Sequence, residues 1–479
     1  METWSIYWLS FLSFIVISAT HYLIYKWSNP KCNGKLPPGS MGFPLIGETI
    51  EFLIPSKSLD VPNFIKKRMR KYGPLFRTNL VGRPVAVSSD PDFNYYLLQQ
   101  EGKLVERWYM DSFSKLLHHD VTQVISKHGS IHKYLRNLVL GHFGPEPLKE
   151  KLLPQLETGI RQRLQIWSKQ PSIEAKSASS AMIFDFTAKV LFSYDPEKSK
   201  ENIGESLSNF LQGLMSIPLN IPGTAFHRCL KNQKRAIKVI TKLFEERRSN
   251  PEINKGDFLD QIVEDMKTDS FWTEEFAIYV MFGLNLASFE TISSTLALAI
   301  KFLTDNPSVV DRLTEENEAI LKNRENADSG LSWKEYKSMT YTHQVVNESL
   351  RLASVAPGIL RRAITDIEVD GYTIPKGWTI MVVPAAVQLN PNTYKDPLAF
   401  DPSRWENMGS VAMAKNFIAF GGGSRSCAGA EFSRVLMAVF FHVFVTKYRW
   451  VKIKGGDMVR SPALGFGNGF HIKVTEKQE

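Results

Sequence analysis

The sequence predicts a mainly α-helical fold with a small β-region, set behind one N-terminal membrane helix. Three observations carry this expectation. Residues 4–25 are almost wholly apolar or aromatic, with no acid and with His21 as the one basic group. Residues 271–302 are apolar nearly all round, the pattern of a buried central helix and not of a surface one. Strand-like runs are short and few: 76–88, valine-rich and broken by Gly82-Arg83-Pro84, and 370–378 each read as a hairpin.

Taking the chain in order, residues 4–25 match the ~20 residues that cross a bilayer. Trp4, Tyr7 and Trp8 stand at one end and Tyr22, Tyr25 and Trp27 at the other, as aromatic belts do. Lys26, Lys31 and Lys35 follow the run and Glu2 precedes it, which places the body of the chain in the cytosol. A cleaved signal peptide is the competing reading, but the run lacks a basic leader. Residues 36–44, L-P-P-G-S-M-G-F-P, form a stiff non-helical segment. The expected division is therefore an anchor at 1–27, a linker and proline-rich hinge at 28–47, and one large globular unit at 48–479.

The chain has 479 residues, 43% of them hydrophobic and 11% aromatic, enough for a large core. Its net charge is +9, spread along the sequence without a long Lys/Arg tract or zinc-finger spacing. That excludes an evident nucleic-acid module and favours a membrane surface and an acidic partner. Cys32, Cys229 and Cys427 are the only cysteines and lie far apart, which argues for a reducing compartment.

Cys427 sits in Phe420-Gly-Gly-Gly-Ser-Arg-Ser-Cys-Ala-Gly429. The glycines are expected to let backbone approach a flat partner, and Arg425 to meet an anionic group on it. An apolar helical pattern follows (Phe432, Leu436, Val439, Phe440, Val443), so the thiol is expected at a helix N-terminus, where its pKa falls. Thiolate ligation of haem iron fits this arrangement. A structural cysteine beside a glycine turn is the alternative.

The order resembles the haem-binding segment of the cytochrome P-450 monooxygenases, F-x-x-G-x-R-x-C-x-G, at every specified position. The resemblance implies the haem-thiolate monooxygenase fold, with haem b on Cys427 as metal ligand and Phe420, Gly423, Arg425 and Gly429 in the cofactor-binding segment. Ala287-Ser-Phe-Glu-Thr291 is similar to the family's A/G-G-x-D/E-T segment, which implies that Glu290 and Thr291 supply protons for dioxygen activation. Ser288 replaces the usual Gly there, and Ile292 the usual second hydroxyl residue. A salt-bridged Glu and a self-bonded Thr are the plainer reading. Glu348 and Arg351, spaced E-x-x-R, together with Arg404 in F-x-P-x-R-W, resemble the family's Glu-Arg-Arg lock. Arg361 resembles a propionate-binding arginine. His132 and Arg136, four apart on one helical face, could hold propionates or stand solvated. At Gln388 relatives often carry His, which reads as a structural variation.

The resemblance spans the chain and implies electrons from NADPH through a reductase, and a single-pass endoplasmic reticulum membrane protein with a cytosolic catalytic domain. The 37–48 segment, the I-H-K-Y-L-R helix and the cysteine loop resemble the plant clan that oxidises sterols, brassinosteroids and triterpenes. The expected substrate is sterol-like, and side-chain hydroxylation or cleavage to a pregnane-type steroid is the preferred reaction. Ring hydroxylation of a cyclic triterpene, brassinosteroid or phytosterol is the alternative. A haem-thiolate peroxide isomerase or lyase is disfavoured by Glu290-Thr291, and a non-catalytic haem or steroid binder by the intact loop. Pocket-wall candidates are Trp108, Phe113, Leu284, Ala287, Val355, Ile359 and Leu464, each of which core packing would also explain.

Overall fold

A computed structural model describes residues 2–117, 129–195, 203–207, 210–216, 218–250, 252, 255–324, 326 and 329–478. In sequence, residues 148–248 read as mainly helical with an interruption at 216–223; part of that region, Ile217 in the interruption included, lies outside the described residues. The first helix, α1 (Glu2–Ser28), projects its apolar side chains outward; Trp4, Phe14 and Leu23 are among the exposed ones. At its end Trp27 Nε1 donates to the carbonyls of Met41 (3.2 Å) and Gly42 (3.1 Å), tying the helix to the hinge. The hinge in turn lies on a sheet. Arg77 N donates to Pro38 O (2.8 Å) and Arg77 Nη1 to Pro37 O (3.0 Å). Gly39, at φ +147°, would place a Cβ 2.0 Å from Arg77 O, so only glycine allows that approach.

That sheet has five strands: β1 (Leu75–Leu80), β2 (Arg83–Ser88), β3 (Val105–Arg107), β4 (Ile359–Ala363) and β5 (Thr379–Val382). Their order is β1-β2-β5-β4-β3, with only β2 and β5 parallel. The predicted first hairpin is present as β1–β2, with Leu80 opposite Arg83. The second hairpin falls earlier than predicted: Ile367–Val369 pairs with Tyr372–Ile374, and Thr379 already belongs to the large sheet. Asp370 and Gly371, both at positive φ, make the turn, so the strand on the N-terminal side of 370 was the missing half.

Apart from two further small sheets, one of three strands and one of two, the rest is mainly helical and surrounds one long helix. Five further helices place the site: α2 (Pro91–Leu98), α3 (Gly129–Phe143), α4 (Ala175–Phe192), α5 (Glu274–Asp305) and α6 (Thr340–Ala353); α7 (Ala430–Lys447) follows the cysteine loop. Thr273 caps α5 by accepting from Phe276 N (3.1 Å). By length and hydropathy α5 could cross a membrane, but 83% of its apolar window is buried inside the protein. It is the core helix that the all-round apolar pattern predicts, packed between α4 and α6. Phe289 of α5 meets Phe184 of α4 edge to face at 5.4 Å.

The predicted lock forms as one buried ion cluster. Glu348 and Arg351 have fully buried side chains and pair through two contacts, 2.7 and 2.8 Å. Glu348 also accepts from Arg404 Nε (2.9 Å), Trp405 Nε1 (3.0 Å) and Asp401 N (3.0 Å). Arg351 donates onward to the carbonyls of Gln388 (2.8 Å) and Pro397 (2.7 Å), while Gln388 Nε2 donates to Arg351 O (2.9 Å). Gln388 thus joins the lock through backbone groups and its side-chain amide. Buried charge survives only with such complete pairing. Arg404→Leu is expected to cost about 3 kcal/mol, the lower end for a broken buried pair because Glu348 keeps its other partners. A urea-unfolding midpoint checks it, and an unchanged midpoint would reduce Arg404 to a surface contact.

Candidate active site

The loop from Phe420 to Gly429 is built by its own backbone. Gly421 and Gly423 take positive φ (73° and 63°), a single 3₁₀ turn spans Gly423–Arg425, and Cys427 N donates to Phe420 O (2.9 Å). The reason for the glycines differs from the expected one. A Cβ on Gly423 would stand 1.9 Å from the carbonyl of Leu98, and one on Gly422 would press on the Leu98 side chain at 3.2 Å. These two glycines serve the packing of the loop onto the end of α2, and neither lines the cavity beside Cys427. Gly421 and Gly429 do, and a Cβ on Gly429 would lie 3.9 Å from the sulfur.

That cavity measures about 640 Å³ and runs from the large sheet to α5 and the cysteine loop. Cys427 is open to it, yet protein surrounds the sulfur on its other sides. The predicted lowering of the thiol pKa is not what the surroundings give. Burial pushes the thiol up, and the Gly429 N–H, Arg136 and Arg434 offset this only in part. The helix N-terminus is present, but desolvation outweighs it until a cation binds the sulfur.

Arg361 on β4 and Arg107 on β3 face each other across the strand pair, and Arg425 joins them from the cysteine loop. All three line the cavity. Behind them stands Glu101, 8% exposed and not part of the lining, 2.9 Å from Arg361 Nε and 3.1 Å from Arg425 Nε. Among the described residues, Arg107 Nε, Arg361 Nε and Arg425 Nη1 are buried without a hydrogen-bond acceptor, Arg361 meeting Glu101 as an ion pair. Such donors call for an anion, and the two carboxylates of haem fit them. His132 and Arg136 on α3 do not line the cavity. Arg136 donates to Ser426 O (2.5 Å) and bonds its hydroxyl (3.4 Å), so it braces the residue before the cysteine. Burial, then Arg425, Arg107 and Arg136, hold His132 neutral with its pKa down to about 4.

The Glu290–Thr291 pair is split by the helix. Thr291 lines the cavity with Ser288 and Ala287, while Glu290, 1% exposed, does not. Its carboxylate meets Lys176 Nζ of α4 at 2.8 Å. On this helix Glu290 is turned toward α4, which carries Lys176, while Thr291 is turned to the cavity. Burial raises the Glu290 pKa, and Lys176 opposes this. Among the wall candidates, Trp108, Phe113, Leu284, Ala287, Val355 and Ile359 line the cavity. Leu464 does not; it is packed in the core, and the nearby Pro462 reaches the cavity instead. Arg107, Glu101 and Lys176 were missed because each acquires its meaning only from a strand register, a helix packing or a loop contact distant in sequence.

The family model for cytochrome P450 matches residues 37–473. The chain belongs to the cytochrome P450 family. It is 48% identical to beta-amyrin 16-alpha-hydroxylase CYP87D16 of Maesa lanceolata, over 97% of this chain and 98% of that one. To cucurbitadienol 11-hydroxylase of Siraitia grosvenorii it is 46% identical, over 98% of this chain and 100% of that one. The solved structure of retinoic acid bound cyanobacterial CYP120A1 shares the fold, with TM-score 0.82 and 25% identity over 93% of this chain and all of that one. This P450 is a haem-thiolate monooxygenase that uses haem b and takes electrons from NADPH through a reductase.

The geometry separates two neighbours on α5 by experiment. Thr291→Ala is expected to divert NADPH from product without changing thermal stability; Glu290→Gln is expected to lower stability and leave coupling unchanged. Measured as product formed per NADPH consumed, the reverse pattern would restore Glu290 to the proton path. Cys427→Ser is expected to abolish the thiolate-type carbon monoxide spectrum, and its persistence would move the ligand elsewhere.

Proposed function

We propose that this P450 hydroxylates a ring carbon of a cyclic triterpene or sterol-like skeleton, with Cys427 as the iron ligand. The observation that carries this reading is the apolar cavity between Trp108, Phe113, Ala287 and Val355 that opens onto Cys427. Pockets of this kind select large hydrophobic ligands by shape, with few polar groups to orient them. Relatives named as hydroxylases of beta-amyrin and cucurbitadienol add to it, since positions 16 and 11 of those skeletons are ring carbons. They favour ring hydroxylation over the side-chain cleavage that the sequence suggested.

Haem bound at Cys427 supplies the one-electron and dioxygen chemistry. This chain's residues do the rest. Arg107, Arg361 and Arg425 would hold the propionates, Phe420 and Gly429 flank Cys427 in its loop, and the apolar walls would exclude water. Thr291 is the hydroxyl placed to pass a proton into the cavity, and Ser288, whose Oγ is bonded to Asn285 O (2.7 Å), stands one turn away. The exposed apolar helix α1, with Lys26 in its last turn and Lys31 and Lys35 after it, supports a single-pass anchor at 1–27 in the endoplasmic reticulum membrane. The hinge at 28–47 then joins it to a cytosolic catalytic domain at 48–479.

Microsomes holding this chain and a plant reductase, given NADPH with beta-amyrin, cucurbitadienol, cholesterol and a phytosterol, test the reading. A triterpene with one added ring hydroxyl is the expected product by mass spectrometry and NMR. A shortened pregnane-type steroid, with the triterpenes untouched, would overturn it.

A further inference from the structure

The arginine cluster beside Cys427 has a counter-charge that no motif announces. The end of α2 lies against the cysteine loop where Gly423 meets Leu98, and the chain turns there to deliver Glu101. Glu101 touches three arginines at once: Arg361 Nε at 2.9 Å, Arg425 Nε at 3.1 Å, and the backbone N–H of Arg107 at 3.0 Å. It stands on the far side of them from the cavity, since the arginines line that space and Glu101 does not. Two guanidiniums on the carboxylate and that of Arg107 on the neighbouring strand leave a net charge of two positive, equal and opposite to two propionates. His132, held neutral beside them, adds nothing to that sum. Arg83, the other cavity-lining arginine, is matched by its own Asp111 at 2.9 Å.

We propose that Glu101 is a positioning residue for the cofactor: from behind the cavity wall it fixes Arg361 and Arg425 side by side and trims the cluster to the charge of the two propionates. The carboxylate accepts from Arg425 Nε and pairs with Arg361 by charge, and burial keeps both interactions from being screened by salt. Without Glu101 the three cations would repel one another and overcompensate the propionates. An added positive charge near the haem favours the reduced state, because reduction brings one electron into the site.

The test is a spectroscopic redox titration of haem-loaded protein, paired with haem transfer to apomyoglobin. Glu101→Gln, which keeps the shape and removes the charge, is expected to shift the ferric/ferrous potential to more positive values. Glu101→Asp is expected to return it toward wild type. Arg107→Gln is expected to shift it the opposite way, and the double variant Glu101→Gln/Arg107→Gln to fall near wild type in potential and in haem transfer rate. If Glu101→Gln alone fails to hold haem, the double variant, with the charge sum restored, is expected to hold it. A potential unmoved by Glu101→Gln, or a double variant that loses haem as readily as the single one, would overturn the proposal and leave Glu101 a plain packing residue.

Discussion

The contact between the cysteine loop and the carbonyl of Leu98 is the constraint on which the site depends. Gly423 allows it, because any side chain there would enter the Leu98 carbonyl, and its φ of +63° suits glycine alone. From that contact the rest follows. α2 ends against the loop, Glu101 reaches Arg425, and the pairing of β3 with β4 sets Arg107 opposite Arg361. A loop, a helix end and a sheet edge thereby converge on one side of Cys427, so the thiol and the anion-binding cluster are positioned together. Arg136 closes the arrangement by holding Ser426 from α3.

The opposite side of the cavity is set by α5 and α6. α5 offers Ala287, Ser288 and Thr291 to the space and turns Glu290 toward Lys176, so one helix is both a wall and a buried ion-pair member. α6 ends at Ser354 in a left-handed conformation, and the residues after it, Val355 to Ile359, pass along the wall into β4. The Glu348 cluster anchors that same helix to the segments at 388–405 through backbone carbonyls. Its charges are distant from the chemistry in role. They hold the helix whose end shapes the substrate wall, and their burial makes the fold intolerant of losing one partner.

Local patterns carried most of this into the sequence. The central helix was legible because a stretch apolar on all sides belongs in a core or a membrane, and Cys427 because its neighbours form a dense, ordered motif. The lock was legible in spacing, although the part played by Gln388 was not, since an amide bonding to a distant backbone leaves no mark in sequence. Two readings went astray for physical reasons. The thiol was expected to be acidified by a helix terminus, but desolvation is the stronger effect at Cys427. Gly423 was taken to face the cofactor, whereas it faces Leu98. Glu101 and Arg107 stayed invisible because strand register and loop docking bring them together.

The claim at the centre of this account is that the cavity open to Cys427 receives a fused-ring triterpene. Optical titration of the purified, haem-loaded protein with beta-amyrin or cucurbitadienol tests it without depending on a reductase. The account requires a saturable shift of the Soret band to shorter wavelength, lost in Ala287→Trp while the carbon monoxide spectrum stays intact. A spectrum unmoved by either triterpene, or a shift that survives Ala287→Trp, would contradict it.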